Sequence, residues 1–66
     1  MASITSPTYT QIDLRINEIG RLDAELGSAY QELVEQLDFA GGLNERRGQV
    51  ILTGLTAMIA ALQDAH

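Results

Sequence analysis

Three carboxylates in the middle of the chain are the first candidates for chemistry. Glu32, Glu35 and Asp38 recur at helical spacing. Carboxylates on facing helices bind metals in di-iron bundles, but that arrangement needs a Glu-x-x-His motif, which is missing from this sequence. A run of acids is more often a solvated surface. We therefore expect an acidic face here, with no metal and no cofactor.

Nucleophilic catalysis has no residue pattern to support it. Cysteine is absent, and no histidine falls near Ser3, Ser6 or Ser28 in a helical hairpin. The lone histidine, His66, is terminal and expected to be solvated. The glycines of Gly41-Gly42 lack the lysine and the preceding strand of a phosphate-binding loop. The sequence predicts a protein that is not an enzyme.

The length and the net charge of the chain narrow the functional classes that remain. A chain of 66 residues forms one small domain with a limited core, so oligomerisation is the expected reinforcement where disulfides are absent. Nine acids against four arginines give a net charge of −5, which disfavours nucleic acid as a partner. The amino-terminal stretch lacks the basic and apolar regions of a signal peptide, so we expect a cytoplasmic or intracellular protein.

A long amphipathic helix is predicted over residues 7–38, after a frayed lead at residues 1–6. The pair Ser6-Pro7 is typical of a helix start. Apolar residues then recur at steps of three and four, as in a coiled-coil seam. Asp23 falls within this seam. Either Asp23 is a register-setting residue paired with an arginine, or a slight rotation places Leu22 inside and Asp23 at the rim; we favour the rotation.

The segment 39–44 predicts a turn, and residues 45–64 predict a second helix. Gly41-Gly42 provides the left-handed conformation that ends a helix, and Asn44 can cap the next one. A short connection makes two helices antiparallel neighbours. The predicted fold class is all-α, a single domain over 1–66 built as an antiparallel two-helix hairpin.

The second helix is apolar on most sides. No charge occurs from Gly48 to Gln63, and a helix of this kind has to be buried on several sides. Its apolar run is shorter than the roughly 20 residues of a membrane span, so membrane insertion is not expected.

The lengths of the two helices predict assembly. Folding back at Gly41-Gly42 would leave Tyr9, Ile12 and Ile16 beyond the end of the second helix. We therefore expect a homo-oligomer, with a dimer forming a four-helix or larger bundle as the simplest form. The predicted interface residues are Tyr9, Ile12, Ile16, Ile19, Val50, Ile51, Leu52, Leu55, Ile59 and Leu62.

Small residues within both helices predict close helix packing. Glycine inside a helix costs up to about 1 kcal/mol against alanine, so interior glycines should have a packing reason. The alternative is that Gly20 and Gly27 only loosen the helix. The residues assigned to close packing are Gly20, Ala24, Gly27 and Gly54.

Charge along the first helix predicts the orientation of two copies. Arg15 and Arg21 lie toward one end of that helix, and the three acids lie toward the other. Antiparallel copies would bring opposite charges together, which favours an antiparallel dimer with a shared two-fold axis. Within one chain, Arg46 and Arg47 could instead bridge to Glu35 or Asp38 across the turn.

The expected function is that of a small structural or assembly protein, acting by helix–helix self-association or by docking into a larger complex. A phage or virus particle is one setting for such small helical proteins. The alternative is an acidic regulatory module that occupies a basic surface of a partner protein. Salt separates the two, because an acidic-patch interaction weakens with ionic strength and apolar association does not.

Overall fold

A computed structural model describes residues 7–65, which form three α-helices and no strand. Helix α1 spans Pro7–Leu22, α2 spans Ala24–Phe39 and α3 spans Glu45–Ala65. The predicted all-α class is confirmed over this range. The predicted lead at 1–6 and the terminal His66 lie outside the described residues.

The prediction of a single helix over residues 7–38 is wrong, because the helix is interrupted at Asp23. Asp23 adopts an extended backbone (φ −153°, ψ 98°), and its carboxylate accepts a hydrogen bond from the Leu26 amide at 3.1 Å. This is the geometry of an N-cap, in which the side chain satisfies an amide that has no partner within the helix. Asp23 is exposed. The favoured interpretation is therefore right that Asp23 lies on the surface with Leu22 partly buried, but the cause is a capped interruption and not the rotation of a continuous helix.

Helix α2 folds back along α1 because two glycines permit close contact beside the break. A Cβ atom built on Gly27 would lie 2.4 Å from the Gly20 Cα atom and 2.7 Å from its backbone nitrogen. Only residues without a side chain allow two backbones to approach so closely. Gly20 and Gly27 therefore pack against each other, between α1 and α2, although the sequence analysis placed both on one continuous helix.

The end of α2 is a Schellman motif. The Gly42 amide donates to the Leu37 carbonyl at 2.9 Å, and the Gly41 amide donates to the Asp38 carbonyl at 3.0 Å. Gly41 has a φ of +80°, the left-handed conformation that this motif requires. The Oδ1 atom of Asn44 then accepts a hydrogen bond from the Arg47 amide at 2.8 Å, so Asn44 caps the start of α3.

Helix α3 runs in the same direction as α1 and packs against it. Thr8, near the start of α1, donates to Glu45 Oε2 at 2.5 Å and accepts from Gln49 Nε2 at 3.0 Å. Glu45 and Gln49 belong to the first turns of α3, so the two helices begin at the same end of the molecule. The chain therefore goes up through α1, down through α2 and up again through α3.

Helix α1 occupies the centre and packs against both other helices. Ile12, Ile16 and Ile19 are buried in the core, so the expected overhang of the amino-terminal apolar residues is wrong. The break at Asp23 is the reason, since it brings α2 back over α1 where a straight helix would have left these side chains uncovered. The buried apolar core consists of Ile12, Ile16, Ile19, Val34, Leu43 and Leu55.

Candidate interaction site

An open groove separates α2 from α3. Both helices pack on α1, but no Cα atom of α2 comes within 8 Å of one in α3. Helices that pack directly have axes about 8–10 Å apart, so some of their Cα atoms lie less than about 8 Å from each other. Helices α2 and α3 therefore do not pack directly on each other. The groove has a volume of about 440 Å³. Its lining residues are Tyr30, Leu33, Val34, Leu37, Ile51, Gly54 and Leu55.

The groove is apolar and its outer margin is exposed. Among the lining side chains, only the Tyr30 hydroxyl is polar. Leu33 on the α2 wall is 60% exposed, and Val50 on α3 is 69% exposed. Exposed apolar surface of this kind, when contiguous, is typical of a protein–protein contact.

The outer side of α3 extends this surface. Val50, Gly54, Ala57 and Ala61 follow one another at steps of four, three and four residues, which places them on one side of the helix. All four are exposed. We call these four residues the outer face of α3. Gly54 also lines the groove, so the two surfaces meet along its edge.

The residues predicted for an interface divide into three groups. Ile12, Ile16, Ile19 and Leu55 are buried inside the chain. Tyr9, Ile51, Leu52, Ile59 and Leu62 are half-buried and pack against that core. Val50 alone of the ten is exposed. Of this set, the structure therefore leaves Val50 exposed on the outer face of α3 and Ile51 partly exposed in the groove lining.

Two of the small residues are exposed within residues 7–65. Ala24 is exposed in the first turn of α2. Nothing lies within 4 Å of a Cβ atom built on Gly54. Their predicted role in close helix packing has no counterpart inside the chain, in contrast to Gly20 and Gly27.

The acidic residues of α2 are not bridged to the arginines after the turn. Glu32 and Glu35 are exposed and Asp38 is half-buried. Arg47 instead donates to the Gly42 carbonyl at 3.1 Å. Over residues 7–65 one ion pair is present, between Arg21 and Glu18 at 3.7 Å.

Packing in the folded chain shifts the proton equilibrium of Tyr9. Partial burial raises the pKa of its phenol, and the carboxylates of Asp38, Asp13 and Glu35 raise it further. The shift follows from packing of α1 beside the acidic end of α2. It lies away from the groove, whose lining does not include Tyr9.

Residues 7–65 contain no group of three or more Asp, Glu, His or Cys side chains able to hold a metal ion. No helix of the described chain combines the length and the hydropathy that a bilayer span requires. The groove is lined by apolar residues and by one polar group, the Tyr30 hydroxyl.

Sequence reasoning missed the groove because it missed the break that creates a third helix. Asp23 with Glu25 in the following turn is a helix-start signal, and it could have marked the break. The continuous apolar spacing from Ile19 to Leu26 concealed that signal.

Comparison with protein-family models, curated proteins and solved structures finds no match for the chain.

Proposed function

We propose that this chain is a small non-enzymatic assembly protein that associates with further copies of itself through the α2/α3 groove and the outer face of α3. The observation that carries the proposal is the groove itself. Two helices of a three-helix chain stand apart, and the space between them is lined by apolar side chains.

The uncharged run of α3 supports association through that helix. Its inward side packs on α1 through Leu52, Leu55 and Ile59, while Val50 and the small residues of the outer face remain uncovered. A helix that is apolar on two sides is stable in water only when both are covered. A helix from a second copy covers the remaining side. Such a unit could work alone or within a larger particle, of which a phage or virus particle is one candidate.

A second candidate function is an acidic regulatory module that binds a basic surface on another protein. Glu25, Glu32 and Glu35 are exposed along α2 and give that helix an acidic side. This surface lies outside the groove lining. The two functions therefore use different parts of the molecule and respond differently to salt.

Light scattering on a sizing column, at low and at high salt and over a range of concentrations, tests the proposal. Apolar self-association predicts a dimer or larger species at both salt concentrations, because the groove contains no charge to be screened. A monomer under all conditions would contradict self-association. In that case the acidic module becomes the better account, and its partner is sought at low salt.

A further inference from the structure

The outer face of α3 has charged residues at both of its ends, and their positions determine how a second copy fits. Arg46 lies in the first turn of α3 and Asp64 in the last turn. They are 18 residues apart, or five helical turns, so both lie along the same flank of the outer face. Both are exposed, and neither belongs to the ion pair present in residues 7–65.

Each of these charges opposes the helix dipole. The amino-terminal end of a helix favours acids, and the carboxyl-terminal end favours bases. In α3 the base Arg46 lies at the amino-terminal end and the acid Asp64 at the carboxyl-terminal end, so neither charge stabilises α3 through its dipole in the isolated chain. A partner for each charge outside the chain accounts for this order.

We infer that the outer face of α3 binds the same face of a second copy, antiparallel and about a two-fold axis, with Arg46 of each copy beside Asp64 of the other. This inference rests on the proposed self-association and adds its orientation and register. When Gly54 of one copy lies level with Ala57 of the second, Val50 lies level with Ala61. The same register brings Arg46 to within one residue, about 1.5 Å along the helix, of being level with Asp64 at both ends.

The charges at the two ends of the outer face select the antiparallel arrangement. Parallel copies would set Arg46 beside Arg46 and Asp64 beside Asp64, and like charges repel. The small side chains of Gly54, Ala57 and Ala61 allow the two helices to approach closely in either direction, so the charges decide between them. Flanking charges select orientation in the same way in coiled coils.

Charge reversal in the full-length chain tests the register through a double-mutant cycle. Arg46→Glu and Asp64→Arg each remove two ion pairs from the dimer, so each should weaken dimerisation by about 2- to 30-fold at low salt. The double variant R46E/D64R restores opposite charges at both ends. It should recover the wild-type dimer constant to within about twofold.

The fold of the single chain is not at risk in these variants. Both reversals move charge toward the order that the helix dipole favours, and both residues are exposed. Within one helix the two side chains are about 27 Å apart, so they do not interact directly inside one chain. Any rescue therefore has to arise between copies. Arg15→Glu on α1 changes the net charge by the same amount as Arg46→Glu and is the matched control. An equal weakening by Arg15→Glu would contradict the α3 register and favour the charges of α1 that the sequence analysis uses to orient the dimer.

Disulfide cross-linking tests the orientation independently, since the chain contains no cysteine. Val50→Cys and Ala61→Cys proteins are mixed in equal amounts, oxidised and analysed by mass spectrometry. The antiparallel register predicts mainly mixed dimers. Two copies of residue 50 would be separated by about 16 Å along the helices, beyond the reach of a disulfide.

The outcomes separate this inference from the proposed function. A dimer that forms like-with-like disulfides, or whose double variant is as weak as the single ones, overturns the antiparallel register and leaves self-association standing. A chain that is monomeric at every concentration overturns both. Mixed disulfides together with charge rescue establish the arrangement.

Discussion

The contact between Gly20 and Gly27 shows how two residues without side chains determine the path of the chain. Their backbones touch across the break at Asp23, where a methyl group would overlap with backbone atoms. Backbone atoms cannot rotate away as a flexible side chain can, so the overlap must be relieved by moving a helix. The two glycines therefore act as a steric hinge between α1 and α2.

We expect Gly27→Ala to destabilise the fold by about 1–3 kcal/mol, the range for overpacked sites. The matched control is Gly54→Ala, where nothing lies within 4 Å of the added atom. That control should leave stability unchanged or raise it by up to about 1 kcal/mol, because alanine favours the helix. Urea denaturation at a concentration where the chain is monomeric measures both. Equal effects of the two substitutions would contradict the steric role of Gly27.

The phenol of Tyr9 predicts how stability depends on alkaline pH. Partial burial and nearby carboxylates raise its pKa in the folded chain above the ordinary value of about 10. A raised pKa in the folded state means that the protonated phenol contributes stability below pH 10. This contribution is lost as the pH rises through the folded-state pKa.

We therefore expect the free energy of unfolding to fall above about pH 10, and Tyr9→Phe to remove part of that fall. Urea titrations at a series of pH values, with the phenolate absorbance recorded in parallel, provide the measurement. If the Tyr9→Phe protein loses the same stability over the same pH range, Tyr9 is not responsible.

At the scale of the elements, a polar cluster joins the starts of α1 and α3. The hydroxyl of Thr8 is 6% exposed and connects Glu45 with Gln49, two residues on the facing helix. Gln49 also donates to Glu45 at 3.3 Å. The contact holds the two parallel helices in register at the end of the molecule where α2 finishes.

Thr8→Val keeps the shape of the side chain and removes the hydroxyl. We expect a loss of about 1–2 kcal/mol, because the hydroxyl of the buried Thr8 makes two hydrogen bonds to α3 and each typically contributes about 0.5–1.5 kcal/mol. Thr53→Val is the matched control, because Thr53 is exposed and its hydroxyl donates back to the Gln49 carbonyl within α3. That change should stay within about 0.5 kcal/mol. Thermal unfolding of the two variants side by side shows whether the inter-helix contact matters.

At the scale of the whole molecule, the three helices form an incomplete bundle. Helix α1 is covered on two sides by its own chain, whereas α2 and α3 each keep an apolar side facing the groove. A chain of this size buries a modest fraction of its surface, so burying the outer face of α3 and the adjoining edge of the groove against another copy increases the core that stabilises it. Assembly and stability are expected to rise together with concentration.

Val50→Glu tests this coupling without disturbing the core. Val50 is 69% exposed, so the substitution should change the stability of the monomer by no more than about 0.5 kcal/mol. A carboxylate buried in the contact between copies should weaken the association constant more than about tenfold. Leu14→Glu is the matched control, because Leu14 is 53% exposed on α1 and lies outside the groove lining. Sedimentation across a concentration series compares them. Equal weakening by both substitutions would point to net charge as the cause.

The sequence alone determined the helical class, the turn after α2 and the start of α3. These features follow from local chemistry: apolar residues at steps of three and four, a glycine in the left-handed conformation at Gly41, and a capping side chain at Asn44. Each acts within a few residues of the chain, so a reader of the sequence can locate it without knowing the fold.

Only the tertiary structure decided the number of helices and the position of the open surface. The spacing of apolar residues continues on both sides of Asp23. This spacing is the same in the sequence whether one long helix forms or whether the helix ends, a capping residue starts a second helix and that helix folds back. The choice depends on whether Gly20 and Gly27 can meet, a contact between residues that a straight helix would hold about 10 Å apart. Once α2 returns along α1, Ile12 and Ile16 become core, and the uncovered apolar surface moves to the groove and the outer face of α3.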